Sequence, residues 1–266
     1  MTTIIGLILA VIFIGIGMML KGVSIEALAN PAAFLIIFGG TTASLFVAFP
    51  MSEIKKIPVL LKISLFEPKL PNPQEIIDLM VEWSIVARTE GALALEEIAD
   101  TVEDPFLKNG LEMVIDGSDR DQMEEILLDE LEATSERHKS GSLIFSQAGM
   151  YAPTLGVLGA VVGLIAALGN LKDMDKLGIS IAAAFVATLL GIFSGYVLWH
   201  PISNKLKRIS KKEQDIKFMM IEGLLAIQDG LTPKLIERKL SVYLPSKARS
   251  KQEEIISEEE DEAKIA

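Results

Sequence analysis

Four long stretches of the chain contain no Asp, Glu, Lys or Arg and are rich in apolar residues. They cover residues 1–20, 27–52, 140–171 and 177–204. About 20 helical residues cross the roughly 30 Å of hydrocarbon in a bilayer, so each stretch can span a membrane. The pattern predicts transmembrane helices over residues 1–20, 28–50, 146–171 and 178–203. The first stretch could instead be a signal peptide, but it lacks a basic start and its apolar run exceeds a signal's core.

Lysines and arginines are unevenly distributed around these spans. Eleven lie close after the second span, directly before the third or directly after the fourth, whereas the two short connections hold three. Cytoplasmic flanks carry the excess of Lys and Arg, so both termini are predicted to be cytoplasmic and the two short connections external. We therefore expect a multi-pass protein of the cytoplasmic (inner) membrane.

The two long cytoplasmic segments, residues 51–142 and 204–266, have helical patterns. Residues 72–75 (Asn-Pro-Gln-Glu) are typical of a capped helix start, and Asp104-Pro105 predicts a second. Apolar residues follow the first start on one helical face: Ile76, Met80, Trp83 and Ala87. A third helix is predicted from Ser118-Asp119, with Met123, Ile126-Leu127 and Leu131 as its apolar stripe. Because it meets no Pro or Gly before Gly141, it can continue into the third span.

These elements predict an all-α fold, with four transmembrane helices and a helical cytoplasmic domain over residues 51–142. Residues 204–266 are predicted to form a C-terminal helix and a tail. Five consecutive acidic residues at 258–262 indicate that the tail ends in a disordered segment.

Composition excludes several functions. The 266 residues are 50% hydrophobic, with mean hydropathy +0.41 and a formal charge of −11, which is unsuited to binding nucleic acid. The chain has no Cys and only two distant His, so we expect no disulfide and no metal site. It also lacks a phosphate-binding loop and a nucleophilic triad. We expect no enzyme and no cofactor, and the remaining energy source is an ion gradient across the membrane.

Small residues recur at helical spacing in the third and fourth spans. They include Gly156, Gly159 and Gly163 in the third span, and Ala187 and Gly191 in the fourth. Such rows allow helix backbones to approach closely where lipid provides no hydrophobic driving force. For any one of these residues, helix packing alone is the simplest interpretation.

Two hydroxyls lie beside these rows. Thr154 follows Pro153, which lacks a backbone donor and frees a carbonyl, and Thr188 follows Ala187 directly. A single Thr in a membrane helix usually bonds to its own backbone, but two on consecutive spans favour a polar path. No span carries a carboxylate, so a partner helix would have to supply one. His200-Pro201 is predicted to mark a helix end or kink.

Several short motifs coincide with these elements. They are Lys21-Gly22, Asn30-Pro31-Ala32, Gly39-Gly40-Thr41 and Phe49-Pro50, then residues 151–156, 163–168 and 184–191, followed by Pro201. Together they resemble the flagellar motor stator A subunits, the MotA/PomA family of the MotA/TolQ/ExbB proton channel superfamily. The resemblance covers residues 15–244.

The resemblance implies that a pentamer of A subunits surrounds a dimer of a B subunit. The single span of the B subunit would carry the missing aspartate, and its periplasmic part would bind peptidoglycan. Passage of the coupling ion, a proton or sodium, would turn the A ring, whose cytosolic helices push on the switch-complex protein of the rotor.

The resemblance also carries six functional positions over to this chain. They are Arg88 and Glu96 for the rotor contact, Pro153 and Pro201 as functional prolines, and Thr154 and Thr188 beside the ion path. On the residues alone, Arg88 and Glu96 would be solvated surface charges. The two threonines occur in both proton- and sodium-driven members, so they leave the ion undecided.

Two alternatives stay open at the level of sequence. An energiser of the ExbB or TolQ type would power an outer-membrane system, and it usually has three spans and an external N-terminus. A stand-alone scaffold or porter is the second alternative. A porter should move ions by itself, whereas a stator subunit should need its B subunit.

Overall fold

The computed structural model describes residues 2–23, 25–169 and 171–244, apart from the side chains of Ile25 and Ala27. Within these ranges the chain is helical and contains no strand, which confirms the predicted all-α class. The helices form two compact units. Residues 2–68 and 137–210 form the first, here called the membrane unit. Residues 69–136 and 211–244 form the second, here called the acidic unit. The predicted acidic end of the tail lies outside the described residues.

Four helices are long and apolar enough to cross a membrane. We call them α1 (Thr2–Leu20), α2 (Pro31–Ala48), α8 (Arg120–Leu168) and α9 (Met174–Gln228). Six shorter helices complete the set: α3 (Met51–Ile54), α4 (Ile57–Leu65), α5 (Pro73–Thr89), α6 (Glu96–Ala99), α7 (Pro105–Ile115) and α10 (Pro233–Leu240). Short 3₁₀ turns lie at Ile25–Leu28, Ala92–Leu95 and Ser241–Tyr243.

The third span is the second half of a 49-residue helix. The predicted helix after Ser118 continues without a break into the span, and α8 ends at Leu168, three residues before the predicted boundary at 171. Pro153 lies inside α8 and does not end it. Since a bilayer needs only about 20 residues, more than half of α8 is extramembrane helix.

The fourth span also continues past its predicted end at residue 203. His200-Pro201 was predicted to mark a helix end or a kink, and the structure excludes the helix end, because α9 runs on to Gln228. Pro201 has no N–H to donate to the carbonyl four residues before it. Directly before Pro201, residues Ser194–Trp199 widen into a π-helical segment, in which the His200 N–H bonds to the Gly195 carbonyl. A one-turn π segment can accommodate a residue that lacks a backbone N–H, so the helix continues past Pro201.

The core of the acidic unit is built from large apolar side chains. Met80, Leu95, Phe106, Leu111 and Leu127 are among those fully buried. The predicted helix starts are confirmed. The Asn72 side chain accepts from the Gln74 N–H at 3.1 Å, and Asp104 accepts from the Phe106 N–H at 2.9 Å. One predicted core position is wrong: Ile126 is 48% exposed, because the buried stripe of α8 passes through Met123 and Leu127.

The segment directly after the second span packs with the membrane unit and not with the acidic unit. Residues 51–68 cluster with the membrane unit, so the acidic unit begins at Lys69. The physical reason is that one side of α4 is apolar. Leu60 and Ile57 pack against Ile144 and Ala148 of the third span. The other apolar residues of that side pack against Ile202 and Leu206 of α9.

Candidate functional site: the seam between the third and fourth spans

The third and fourth spans meet along a seam of small residues. A Cβ atom added at Gly191 would lie 2.7 Å from the Gly156 Cα and 2.8 Å from the Ala152 carbonyl oxygen. One added at Gly156 would lie 2.9 Å from the Ala187 carbonyl oxygen. Real Cβ atoms do not approach this closely, so the two helix backbones are in direct contact. Contacts between Cα–H groups and carbonyl oxygens recur along such close crossings.

The same seam continues toward the connection between the two spans with slightly larger residues. An added Cβ at Gly159 would lie 3.1 Å from the Ala187 Cβ, and one at Gly163 would lie 3.0 Å from the Ala184 Cβ. The structure thus brings together Gly156, Gly159 and Gly163 of α8 with Ala187 and Gly191 of α9. These are the five small residues singled out in the sequence.

Pro153 is part of the seam. Its ring lies against Gly195, where an added Cβ would be 2.7 Å from the proline Cγ. The same position is 2.8 Å from the Gly149 carbonyl oxygen, which is the carbonyl that Pro153 leaves without a helical donor. The backbone of Gly195 therefore covers the Gly149 carbonyl that Pro153 leaves free. Sequence reasoning missed the role of Gly149, although its position four residues before Pro153 was a usable signal.

Thr154 and Thr188 both donate their hydroxyl protons to their own helices. Thr154 Oγ1 donates to the Tyr151 carbonyl at 2.7 Å, and Thr188 Oγ1 donates to the Ala184 carbonyl at 3.3 Å. Thr154 is exposed and Thr188 is half-buried. A hydroxyl that donates to its own backbone keeps oxygen lone pairs free to accept a hydrogen bond or to coordinate a cation. No hydrogen bond joins the two hydroxyls in the described ranges.

Pro201 lies outside the seam, at the charged end of the fourth span. It is exposed and lines an apolar crevice of about 420 Å³ between the start of α1 and the π segment. At this crevice, Lys205 Nζ lies 2.8 Å from Glu67 Oε1 and 2.7 Å from Thr3 Oγ1. Sequence reasoning missed this polar cluster, because nothing in the local pattern pairs α1 with residues two hundred positions later.

Arg88 and Glu96 lie on the acidic unit and are exposed. Arg88 is not a free surface charge, because its guanidinium donates to the Gly230 carbonyl at 2.8 Å. Gly230 has φ +66° and forms the turn that ends α9. Glu96 lies in the first turn of α6, and its carboxylate has no ion pair within the part of the chain that the structure describes.

Two further contacts hold the same turn. Arg120 Nε lies 3.1 Å from Asp229 Oδ2, and Gln228 Nε2 donates to the Ser118 carbonyl at 2.7 Å. The hydrogen bond to Asp229 raises the pKa of Arg120 above its ordinary value, aided by the charges of Asp229 and Glu124. The turn at 228–230 is thus joined to α5 and to the start of α8. Sequence reasoning did not find these contacts, since the partners are more than one hundred residues apart.

The four charge-free stretches of the membrane unit contain no Asp or Glu, and known proteins show which class this arrangement belongs to. The sequence model of the MotA/TolQ/ExbB proton channel family matches residues 98–219, and the model of the motility protein A N-terminal region matches residues 4–91. The chain belongs to the motility protein A branch of this family.

Relatives and solved structures agree with this assignment. Motility protein A of Bacillus subtilis (strain 168) is 54% identical over 250 residues, which are 94% of this chain and 93% of the relative. The flagellar MotAB stator complex from Bacillus subtilis contains a chain with TM-score 0.89 and 54% identity, covering 93% of this chain and 97% of that one. The structure of MotAB from C. jejuni matches with TM-score 0.87 and 31% identity, covering 92% and 96%.

Proposed function

We propose that this chain is the A subunit of a flagellar motor stator. With a B subunit it forms an ion-conducting complex of the inner membrane that converts ion flow into torque on the rotor. The observation that carries the proposal is the pairing of a close-packed seam with two threonine hydroxyls, in spans that contain no Asp or Glu. A conduction path of this kind needs a carboxylate from a partner helix.

The partner is a B subunit with an intramembrane aspartate and a peptidoglycan-binding domain. The match to chains of two MotAB complexes supports such a partner. We further propose a pentamer of this chain around a B dimer, with both termini cytoplasmic. The excess of Lys and Arg beside the predicted inner ends of the spans supports this orientation.

The hydroxyls of Thr154 and Thr188 would act as acceptors along the ion path. Both already donate to their own helices, so each offers lone pairs to a passing hydrated proton or sodium ion. The seam would hold the two spans in contact while Pro153, seated against Gly195, would respond to the charge state of the partner's aspartate. Arg88 and Glu96 would contact the switch-complex protein of the rotor.

The match to the motility branch favours this function over the energiser. The four membrane-length helices and the matched N-terminal region at 4–91 are features of that branch. An energiser of the ExbB or TolQ type usually has three spans.

Ion flux into liposomes tests the proposal. The chain alone should not dissipate a proton or sodium gradient, whereas the chain with its B subunit should dissipate one of them. Replacing the B subunit's aspartate with asparagine should stop the flux. Flux through the chain alone would contradict the proposal and favour a porter.

Replacing Pro153 gives a second test. Pro153→Leu should abolish torque while membrane insertion stays normal, because the larger chain cannot seat against Gly195 and the Gly149 carbonyl regains a donor. The measurements are swimming speed and the amount of complex in the membrane. Normal swimming would exclude Pro153 from the ion path.

A further inference from the structure

The exposed side of α4 carries lysines and apolar residues together. Lys62 is exposed, and so are Lys55 and Lys56, which directly precede the helix. Val59 is 60% exposed and Phe66, the residue after the helix, is 56% exposed. Val59 and Lys62 lie three residues apart on α4, and Lys55 and Phe66 continue the same spacing of three to four residues just beyond its two ends. Cationic and apolar side chains therefore alternate along one stripe. Within the described ranges the ammonium groups of these three lysines form no ion pair or hydrogen bond.

The opposite side of α4 fixes the helix at a known level of the membrane unit. An added Cβ at Gly141 would lie 3.0 Å from Leu60, and Gly141 is the second residue of the charge-free stretch that forms the third span. Leu61 and Ile63 pack with Leu206, next to Lys205, where the fourth span meets its charged flank. The helix therefore lies where the spans leave the hydrocarbon.

Charge decides what can cover the exposed stripe. The chain carries a formal charge of −11, and α8 has an exposed acidic face that includes Glu125, Asp129 and Glu132. Anionic surfaces should therefore repel most of the protein. Lysine side chains near an anionic leaflet are attracted to it, while apolar neighbours enter the boundary between headgroups and acyl chains.

We propose that the exposed stripe of α4, formed by Lys55, Val59, Lys62 and Phe66, binds anionic phospholipid headgroups of the membrane that the protein spans. The lysines would contact the phosphates, and Val59 and Phe66 would insert below them. The binding would anchor α4 at the membrane surface. It requires neither ion flux nor a rotor, so it can fail or hold independently of the proposed stator function.

The test uses the complete complex of this chain and its B subunit in nanodiscs of phosphatidylcholine. Small amounts of spin-labelled phosphatidylglycerol or phosphatidylcholine report how strongly each lipid associates with the protein. Wild type should prefer phosphatidylglycerol. Lys55→Gln/Lys62→Gln should lower that preference by about fivefold per lysine, the change expected from about 1 kcal/mol for each lysine at an anionic surface.

The matched control is Lys21→Gln/Lys172→Gln. These two lysines are also exposed and also lie beside spans, but in the two short connections, and their removal changes the net charge equally. The control should keep the wild-type preference within twofold. An equal fall in both variants, or no fall in the α4 variant, would overturn the proposal.

A depth measurement distinguishes lipid from a second copy of the chain. The chain has no cysteine, so Val59→Cys places the only thiol of this chain in the stripe. A spin label there should be accessible to oxygen and show the depth of the headgroup boundary. Strong dipolar coupling between labels of neighbouring copies would instead show that another subunit covers the stripe, which would overturn the proposal.

Discussion

The seam of the membrane unit and the core of the acidic unit achieve tight packing by opposite means. In the acidic unit, large side chains such as Phe106 and Leu111 are withdrawn from water, and the hydrophobic effect drives their burial. In the seam, Gly156 and Gly191 present almost no side chain, and the helix backbones touch. Lipid chains are as apolar as leucine side chains, so the spans gain nothing by moving apolar surface away from lipid. Close van der Waals contact between the helices must therefore hold the spans together.

Substitutions of similar size should therefore act differently in the two regions. Adding volume should harm the seam most, because the obstacle is backbone that cannot move aside. Removing volume should harm the acidic core most, because it leaves a cavity.

Gly191→Leu should have the largest effect. Its side chain would collide with the Gly156 Cα and the Ala152 carbonyl, so the third and fourth spans would have to separate. We expect loss of the assembled complex and of motility, beyond the roughly 1–3 kcal/mol usual for overpacking. Gel filtration of the detergent-solubilised complex and swimming assays measure this effect.

Gly178→Leu is the control for the seam. It lies on the same helix, but nothing is within 4 Å of an added Cβ. Assembly should stay normal in this variant. If both variants assembled equally well, the backbone contact would not be essential.

Leu111→Ala should have the next largest effect, confined to the acidic unit. Leu111 is fully buried, and truncation of a buried Leu costs about 2–5 kcal/mol. Amide hydrogen exchange in α7 should accelerate by about thirtyfold or more, since each 1.4 kcal/mol is tenfold. Leu93→Ala, at a residue 73% exposed, should leave exchange unchanged. Unchanged exchange in Leu111→Ala would contradict the assigned core.

Arg88→Gln should have a smaller, local effect that separates structure from rotor contact. Loss of the hydrogen bond to the Gly230 carbonyl should weaken the turn by about 1 kcal/mol, or roughly fivefold in amide exchange at 229–231. Glu96→Gln should leave this exchange unchanged, since Glu96 does not touch the turn. Loss of motility in Arg88→Gln without faster exchange would assign the residue to the rotor contact alone.

Lowering the pH should have the smallest effect, at the start of α9. The Asp173 carboxylate accepts from the Lys176 backbone N–H and pairs with its ammonium group, which lowers the pKa of Asp173. The Asp173 carboxylate therefore stabilises the helix start fully above pH 3.8, which is the ordinary pKa of an Asp side chain. This stabilisation is lost as the pH falls through the lowered pKa of Asp173. The Lys176 amide chemical shift should report this transition. Asp173→Asn should keep the cap and remove the pH dependence, and a transition that persists in this variant would implicate another group.

Local patterns made most of the fold predictable. The length of the charge-free stretches identified the four membrane helices, and Asn72 and Asp104 identified two helix starts. Both signals depend only on residues that are neighbours in the sequence. The seam residues were also identifiable, since glycine and alanine at helical spacing indicate close approach. The continuation of α9 through Pro201 was not predictable, because the π segment that compensates for proline has no pattern of its own.

Long-range partners could not be predicted from the sequence. Nothing near Arg88 indicates that its guanidinium bonds to Gly230, and nothing near Lys205 indicates Thr3. The packing partner of α4 was not predictable for a similar reason. The apolar side of α4 suits either a soluble core or the flank of a membrane helix, and only the packing of Leu60 on Gly141 decides between them.

The π segment at Ser194–Trp199 has a geometric consequence. Each residue of a regular helix turns the chain by about 100°. A widened π turn holds one extra residue, so the side chains after it face a different direction from the one they would have in a regular helix. Gly191 therefore points toward one neighbour while Lys205, on the same helix, points toward α1 and Glu67. If the segment relaxed to a regular helix, one of these two alignments would have to be given up.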